Sequence, residues 1–439
     1  MGVISGVGLD RPDAPDAPPD APRYSWYVLA LLCTVYLSNH IDRQILMILL
    51  EPIKEEFGTS DFQMGLLTGP AFALFYTFAG IPIARWADRG SRKTIVAISV
   101  GIWSLMTALS GAARGFLSLA ALRVGVGIGE AGCSPPSHSL IADYFPPHQR
   151  AKAMGFFSAG SQGGAAFGWL LGGWLYLYLG WRWVFVVVGI PGLLLALLVA
   201  LTVREPRRGG VEQRAASEQT EPLWPSLVAL MRQPTYLWMQ VGGAFHAVSG
   251  YGLAVWVAPF LIRLHGLEIH VIGTWLGAIA LFAGIPGIFV GGYLCDRLAP
   301  RDGRWFLWIP TGAALFALPF TVLFLTLPSA GWALAAYAVH SSLNLAYTGP
   351  IYAVTQAVVP LRARSLAVAL HLFIANLIGL GLGPVLVGGF NDLLRDSLGD
   401  GAIRYTMLAA ALANVVACVF YLLAARSVRR DMAEAATRD

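Results

Sequence analysis

Apolar runs of about 20 residues follow one another almost from end to end of this chain, broken by short stretches of Pro, Gly and charge. A bilayer core about 30 Å thick needs roughly that length of helix. Backbone in lipid must satisfy its own hydrogen bonds, so each run reads as a transmembrane helix. The runs fall near 26–50, 64–84, 94–113, 115–143, 151–179 and 183–203, then near 236–262, 271–294, 305–327, 331–359, 365–391 and 403–425. The expectation is an all-α integral membrane protein with twelve spans. A charged fraction of 13% and a mean hydropathy of +0.62 agree with it.

Only the stretch after residue 203 breaks the hydropathy for long, and it divides the chain in two. The reading is a disordered cytoplasmic tail (1–25), a first six-helix bundle (26–203), a flexible cytoplasmic linker (204–234), a second six-helix bundle (235–426) and a cytoplasmic tail (427–439). The N-terminus has acids among prolines and lacks the basic start and short apolar core of a secretory signal.

Sorting the 30 Lys and Arg on this map puts 22 on one side with both termini and six on the other. By the positive-inside rule both termini are cytoplasmic. The two basic residues left over, Arg43 and Arg123, fall within spans. A net charge of +5 would suit nucleic acid only if the basic residues shared one soluble face, and they do not. The four cysteines lie in apolar runs without metal-ligand spacing and read as packing residues. Neither a metal nor a cofactor is expected.

The halves echo each other. "ARWADRGSRK" (84–93) and "GYLCDRLAPR" (292–301) each follow the second span of their half, and "QRAKAMGFFSAGSQGGAAFGWLLGGWL" (149–175) has a counterpart in "ARSLAVALHLFIANLIGLGLGPVLVGGF" (363–390). Parallel repeats of this kind imply two bundles related by an axis along the membrane normal.

On these motifs the chain resembles the major facilitator superfamily over essentially its whole length. "ARWADRGSRK" looks like that superfamily's Gly-x-x-x-Asp-Arg-x-x-Arg-Lys loop signature, with Ala84 at the usual glycine. "GAAFGWLLGGWL" (164–175) is similar to the fifth-helix glycine motif of its antiporters, without the usual proline. Within the superfamily, "NHIDRQILMILL" (39–50) and "LRVGVGIGEAGCSPPSHSLIADYF" (122–145) resemble the spinster family of lysolipid and sphingolipid-phosphate exporters. The resemblance implies a twelve-helix major facilitator fold and alternating access. It also implies a cytoplasmic gate in which Asp88 meets a helix N-terminus and an arginine across the bundle interface.

Intramembrane charge costs about 2.5–3.5 kcal/mol per residue on insertion scales and is a functional hypothesis by default. Asp42 and Arg43 are adjacent, about 100° apart on a helix, so they cannot share one direction and at least one should face a neighbouring helix. Arg123 and Glu130 are two turns apart on one face of the fourth span. Asp42 and Glu130 are the candidate proton-coupling carboxylates. Arg43 and Arg123, with His40 beside them, are candidates for holding an anionic headgroup or pairing with those acids. A static ion-pair network that fixes helix packing is the alternative. His138, His246, His340 and His371 read as hydrogen-bonded packing residues.

Asp88, Arg89, Arg92, Asp143, Arg150, Asp296, Arg297 and Arg364 are the candidate cytoplasmic gate charges. The second half has no charge in its spans, but Tyr251, Trp256, Asn344, Tyr347, Tyr352, Gln356 and Asn376 are candidate cavity-lining residues. A cavity charged on one side and aromatic on the other suits an amphiphile with an anionic head.

These readings combine into a secondary transporter in a bacterial inner membrane, a monomer with a small lipid-like substrate, protons and the bilayer as its partners. Proton-coupled export of lysolipids or sphingolipid-like amphiphiles is expected, and efflux of drugs or small organic anions is the alternative. The glycines of "GVGIGEAG" (125–132) lie inside an apolar run, and no phosphate-binding loop of the Gly-x-x-x-x-Gly-Lys-Ser/Thr type occurs. An intramembrane enzyme using Asp42 and Glu130 as a dyad, or a sensor, fits the paired gate loops poorly.

Overall fold

Residues 21–206 and 223–437 are described in this computed structural model, apart from the side chains of Asp88, Leu223 and Arg362. The expected tail 1–20 and the middle of the linker, 207–222, lie outside the described residues.

Twelve helical passes run through the described residues. The first is α1 (Arg23–Ile48) continued by α2 (Leu50–Phe57), and the second is α3 (Asp61–Thr68) continued by α4 (Pro70–Arg89). Next come α5 (Arg92–Ser110) as the third and α6 (Phe116–Glu130) with α7 (Ser134–Tyr144) as the fourth. Helix α8 (Pro147–Thr202) holds two passes, because Gly180 at φ +73° turns the chain back on itself. After the short α9 (Leu223–Arg232), the seventh pass is α10 (Pro234–His265) and the eighth is α11 (Ile269–Ile279) with α12 (Ile285–Leu298). The ninth is α13 (Trp305–Thr326), and the tenth is α14 (Ala330–Leu345) with α15 (Thr348–Ala357). The eleventh is α16 (Arg364–Ile374) with α17 (Gly381–Leu398), and α18 (Ala402–Thr437) is the twelfth.

Eight helical stretches among the described residues are long and apolar enough to cross a membrane, and two of these, 147–202 and 364–437, hold two passes each. The first pass falls short by that measure because it carries Asn39, His40, Asp42, Arg43 and Gln44. The tenth falls short because it breaks at Ala346 and Tyr347.

Where a pass breaks, local chemistry explains it. Gly69 ends α3, and Pro70 opens α4 where its missing N–H is not needed. Pro135 and Pro136 restart the fourth pass in the same way. In the eighth and eleventh passes the break is instead a π-helical turn, at Ala280–Gly284 and Ala375–Leu380. Neither turn leaves a signal in the apolar pattern.

Two segments outside the expected bundles are helical. The linker is not flexible throughout, since Leu223–Arg232 is helical. The C-terminal tail continues α18 to Thr437, because Asp431, 1% exposed, accepts from the N–H of Thr235 at 3.0 Å and so caps α10. Arg429 also grips Asp302 in the loop before α13.

The apolar cores show how the halves meet. One, with Val35, Trp103 and Phe157, is drawn almost entirely from the first half; a second, with Tyr236, Val354 and Tyr421, comes from the second half. A third joins Ile45, Leu50 and Leu67 of the first half to Trp256, Phe260 and Ile272 of the second. This shared core lies at the far end, away from the termini.

Polar contacts lock the same end. Arg263 of α10 donates to both oxygens of Glu51 (2.9 and 2.7 Å) and to both oxygens of Asp61 (2.6 and 2.8 Å). Lys54 meets Asp61 at 2.6 Å. Asp392 of α17 accepts from the N–H groups of Asp61 and Phe62 at 3.0 and 2.7 Å, capping α3 from the other bundle. The backbones touch beneath this latch: a Cβ on Gly388 would lie 2.3 Å from the Asp61 carbonyl oxygen, and one on Gly65 would lie 2.6 Å from that of Pro384.

At the termini end, the buried Arg92 knots the first bundle internally. It donates to Asp143 at 2.5 Å and to Glu205 at 2.7 Å. Burial opposes the Glu205 charge, but the Lys93 N–H, the Arg92 guanidinium and the Ser91 hydroxyl hold its carboxyl below the ordinary glutamate value.

A depressed folded value means that Glu205 contributes stability fully at neutral pH and loses it as the pH falls below about 4.5. Thermal unfolding should therefore find Glu205→Gln less stable than the wild type at pH 7, with the gap closing on acidification; a gap independent of pH would contradict this. At the far end, Arg263→Ala leaves Glu51 buried without its cation and Asp61 with Lys54 alone, but only while the bundles are closed there. Losing one partner of such a pair costs about 3–5 kcal/mol. A cysteine placed at Thr68 should then react with a maleimide applied from the far side at least about tenfold faster, and an unchanged rate would remove the latch's role.

Candidate functional site

The intramembrane charges meet midway along the first bundle. Arg43 leaves α1 toward α6, and its Nε donates to Glu130 Oε2 at 2.7 Å. Its guanidinium lies 4.8 Å from the ring centre of Phe72 and 5.0 Å from that of Tyr76, both on α4. Such contacts add about 0.5–2 kcal/mol where water is excluded. Asp42, one residue earlier, points to α5 instead, where the Thr107 hydroxyl donates to its Oδ2 at 3.1 Å. Arg123 sits over the same Phe72 ring at 5.5 Å.

Among the four, only Arg43 and Glu130 form a direct ion pair. Asp42, Arg123 and Glu130 are each at most 3% exposed, so no bulk water compensates them. Even so, Asp42 Oδ1, Glu130 Oε1 and the Nε and Nη1 of Arg123 have no hydrogen-bond partner. Unmet polar atoms at this depth are rare in a folded protein and mark a site to be occupied or rearranged.

Of these residues, Arg123 borders an internal space. A cavity of about 120 Å³ is lined by Arg43 and Arg123, with His40, Gln44, Phe72 and Tyr251 among its walls. His40 itself is held by its own helix, Nδ1 donating to the Tyr36 carbonyl at 3.0 Å. A second cavity of about 280 Å³ lies in the other bundle. Five of the seven residues expected to line a cavity, Tyr251, Asn344, Tyr347, Tyr352 and Asn376, line this one. The other two do not: Trp256 is buried in the shared core, its Nε1 donating to the Pro384 carbonyl at 3.0 Å, and Gln356 is exposed at the end of α15.

The candidate gate charges are scattered by comparison. Arg92 and Asp143 pair within the first bundle, and Arg150 donates to the Ala142 carbonyl at 2.8 Å. Arg89 and Asp296 are exposed, Arg297 donates to the Tyr293 hydroxyl on its own helix at 2.7 Å, and Arg364 leaves its Nε without a partner. The backbone of Asp88 is in the last turn of α4, and its side chain is outside the described residues. Among the described residues, every ion pair that crosses between the bundles belongs to the far-end latch.

Sequence reasoning missed that latch, although a signal existed. Lys54, Arg182 and Arg263 are three of the few basic residues on the poorly basic side, and all three pair with acids, Arg182 with Glu56 at 2.5 Å. Phe72, Tyr76 and Thr107 were also missed, since an aromatic or a threonine in an apolar run says nothing of what it faces. No group of three or more His, Cys, Asp or Glu among the described residues could hold a metal ion.

Known proteins resemble this chain in sequence and fold. The Major Facilitator Superfamily model matches residues 32–384. A Mycolicibacterium smegmatis protein named MFS-type efflux pump is 34% identical over 97% of this chain and 98% of its own length. Protein spinster homolog 1 of Xenopus tropicalis is 28% identical over 93% of this chain and 82% of its own. The crystal structure of a bacterial homolog to the human lysosomal transporter spinster, inward-facing and unoccupied, matches with a TM-score of 0.84 at 35% identity, covering 94% of this chain and 99% of that one. With its twelve helical passes, paired halves and extensive matches, the chain belongs to the Major Facilitator Superfamily as a spinster-like transporter, a multi-pass membrane protein and not an enzyme.

Proposed function

We propose that this transporter carries out proton-coupled export of anionic amphiphiles of the lysolipid or sphingolipid-phosphate type, in a bacterial inner membrane with both termini cytoplasmic. The observation that carries the reading is Arg123, a buried guanidinium with two donor atoms unpaired at the wall of a cavity that Arg43 also lines. Two guanidiniums sharing one small cavity, only one of them held by a carboxylate, suit a phosphate or carboxylate headgroup that accepts several hydrogen bonds at once.

Coupling follows from competition for Arg43. When Glu130 is ionised it occupies Arg43; when it is protonated, Arg43 is released to the substrate anion. Asp42, held by Thr107 and without a direct cation, is the second carboxylate able to take up a proton without breaking an ion pair. Proton uptake on Glu130 and anion binding at Arg43 are thus linked, as coupling requires. Alternating access comes from rocking the bundles, with the latch of Glu51, Asp61, Arg263 and Asp392 closing the far side and the candidate gate charges around Asp88 closing the other. The name of one relative, an MFS-type efflux pump, agrees with export. Efflux of drugs or small organic anions is the second reading, favoured by the small volume of the charged cavity.

Proteoliposomes loaded with a labelled lysophosphatidic acid test the reading. Efflux should rise several-fold with an imposed pH gradient in the wild type. Glu130→Gln should lose the gradient dependence while keeping binding, and Asp42→Asn should lose at least part of it. Transport by both variants with unchanged gradient response would make the charges static packing elements. Absence of lysolipid transport with gradient-driven efflux of small anions would favour the second reading.

A further inference from the structure

The intramembrane histidines are not alike. His40 donates to a backbone carbonyl, His138 lies 2.8 Å from the Ser134 carbonyl oxygen, His340 lies 2.8 Å from the Thr321 hydroxyl and His371 lies 3.0 Å from Gln240 Oε1. Each has a hydrogen-bonding partner within its own bundle. His246, expected to be hydrogen-bonded as well and 2% exposed, makes no hydrogen bond of good geometry at either ring nitrogen, and interacts only loosely with the Asn414 side chain and the Asn344 carbonyl. Its ring is held against Tyr347, centroids 4.0 Å apart, so packing fixes it in place more than hydrogen bonding does.

His246 lines the second-bundle cavity, together with Asn344, whose Oδ1 is also buried without a partner. No Asp, Glu, Lys or Arg lines that cavity. A charged group placed there would be uncompensated, whereas an uncharged hydrogen-bonding group would find a neutral imidazole offering one donor and one acceptor beside an amide oxygen offering another acceptor. A hydroxyl both donates and accepts, so two neighbouring hydroxyls match the set, and the faces of Tyr347 and Tyr352 complete an aromatic wall.

Tyr251 lines both this cavity and the one holding Arg43 and Arg123, and its hydroxyl lies 3.5 Å from Asn376 Oδ1. The two spaces are therefore neighbours across one side chain. We infer that the second-bundle cavity is a subsite for the uncharged, hydroxyl-bearing part of the substrate, recognised by His246 and Asn344, so that the preferred ligand is an amphiphile carrying free hydroxyls beside its anion. The anion's place rests on the function proposed above, but the hydroxyl subsite does not require it.

The test uses neutral probes and so stands apart from transport. Thermal unfolding of the purified full-length protein is followed with monooleoylglycerol, which has a vicinal diol, and with oleyl alcohol, which has the same chain and one hydroxyl. The wild type should bind the glycerol ester about tenfold more tightly than the alcohol, as expected for one or two hydrogen bonds in a dry site. His246→Phe keeps the ring against Tyr347 and should erase that preference, and His246→Gln should restore part of it. Asn344→Ala gives the same readout should the histidine variants fold poorly. A wild type without diol preference, or variants that keep it, would overturn the subsite. A diol preference alongside failed lysolipid export would leave the subsite standing and sink the proposed function instead.

Discussion

The ion pair between Arg43 and Glu130 sets the terms for everything around it. It joins α1 to α6 in the middle of the first bundle, where neither charge can be left alone without a cost of several kcal/mol. Because Glu130 sits on α6 two turns from Arg123, and Arg43 sits beside Asp42 on α1, forming this one pair gathers four charges into one small volume. The rings of Phe72 and Tyr76 lie against the guanidinium, which still lines the cavity. The pair is thus both an element of helix packing and the occupant that any incoming anion must displace.

The two ends of the molecule use different physics. At the far end the halves share an apolar core and a hydrogen-bonded ion network, with backbone so close that glycine is required at Gly65 and Gly388. Toward the termini each half keeps its own core, and the polar links among the described residues, such as Arg92 with Asp143 and Glu205, stay within one half. Such a distribution lets two rigid bodies pivot, because the contacts that must break are confined to one end. The site lies between those ends, next to both bundles.

Much of this was legible in the chain. Length and apolarity dictate a membrane helix with little help from tertiary context, so the span map was close at nearly every pass. The isolation of Asp42, Arg43, Arg123 and Glu130 among apolar residues pointed to them equally directly, since charge in lipid needs a reason. Side-chain partners were not legible. Nothing in the order of residues says that Asp42 turns to Thr107 while Arg43 takes Glu130, or that His246 lacks what His371 finds in Gln240. The π-turns, the packed C-terminal helix and the latch were hidden for the same reason: each depends on what a distant segment brings to it, as Asp431 does for α10 and Asp392 for α3.

The trans cap on α3 has a consequence for the medium. While the bundles are closed, Glu51, Lys54, Asp61, Arg263 and Asp392 satisfy one another out of reach of counterions. When they part, five charges and a bare helix N-terminus enter water together, and dissolved ions stabilise them only in that state. At physiological ionic strength the screening length is about 8 Å, shorter than a wide opening. The ionic strength facing that end is therefore a variable in the conformational equilibrium, alongside the substrate and the proton.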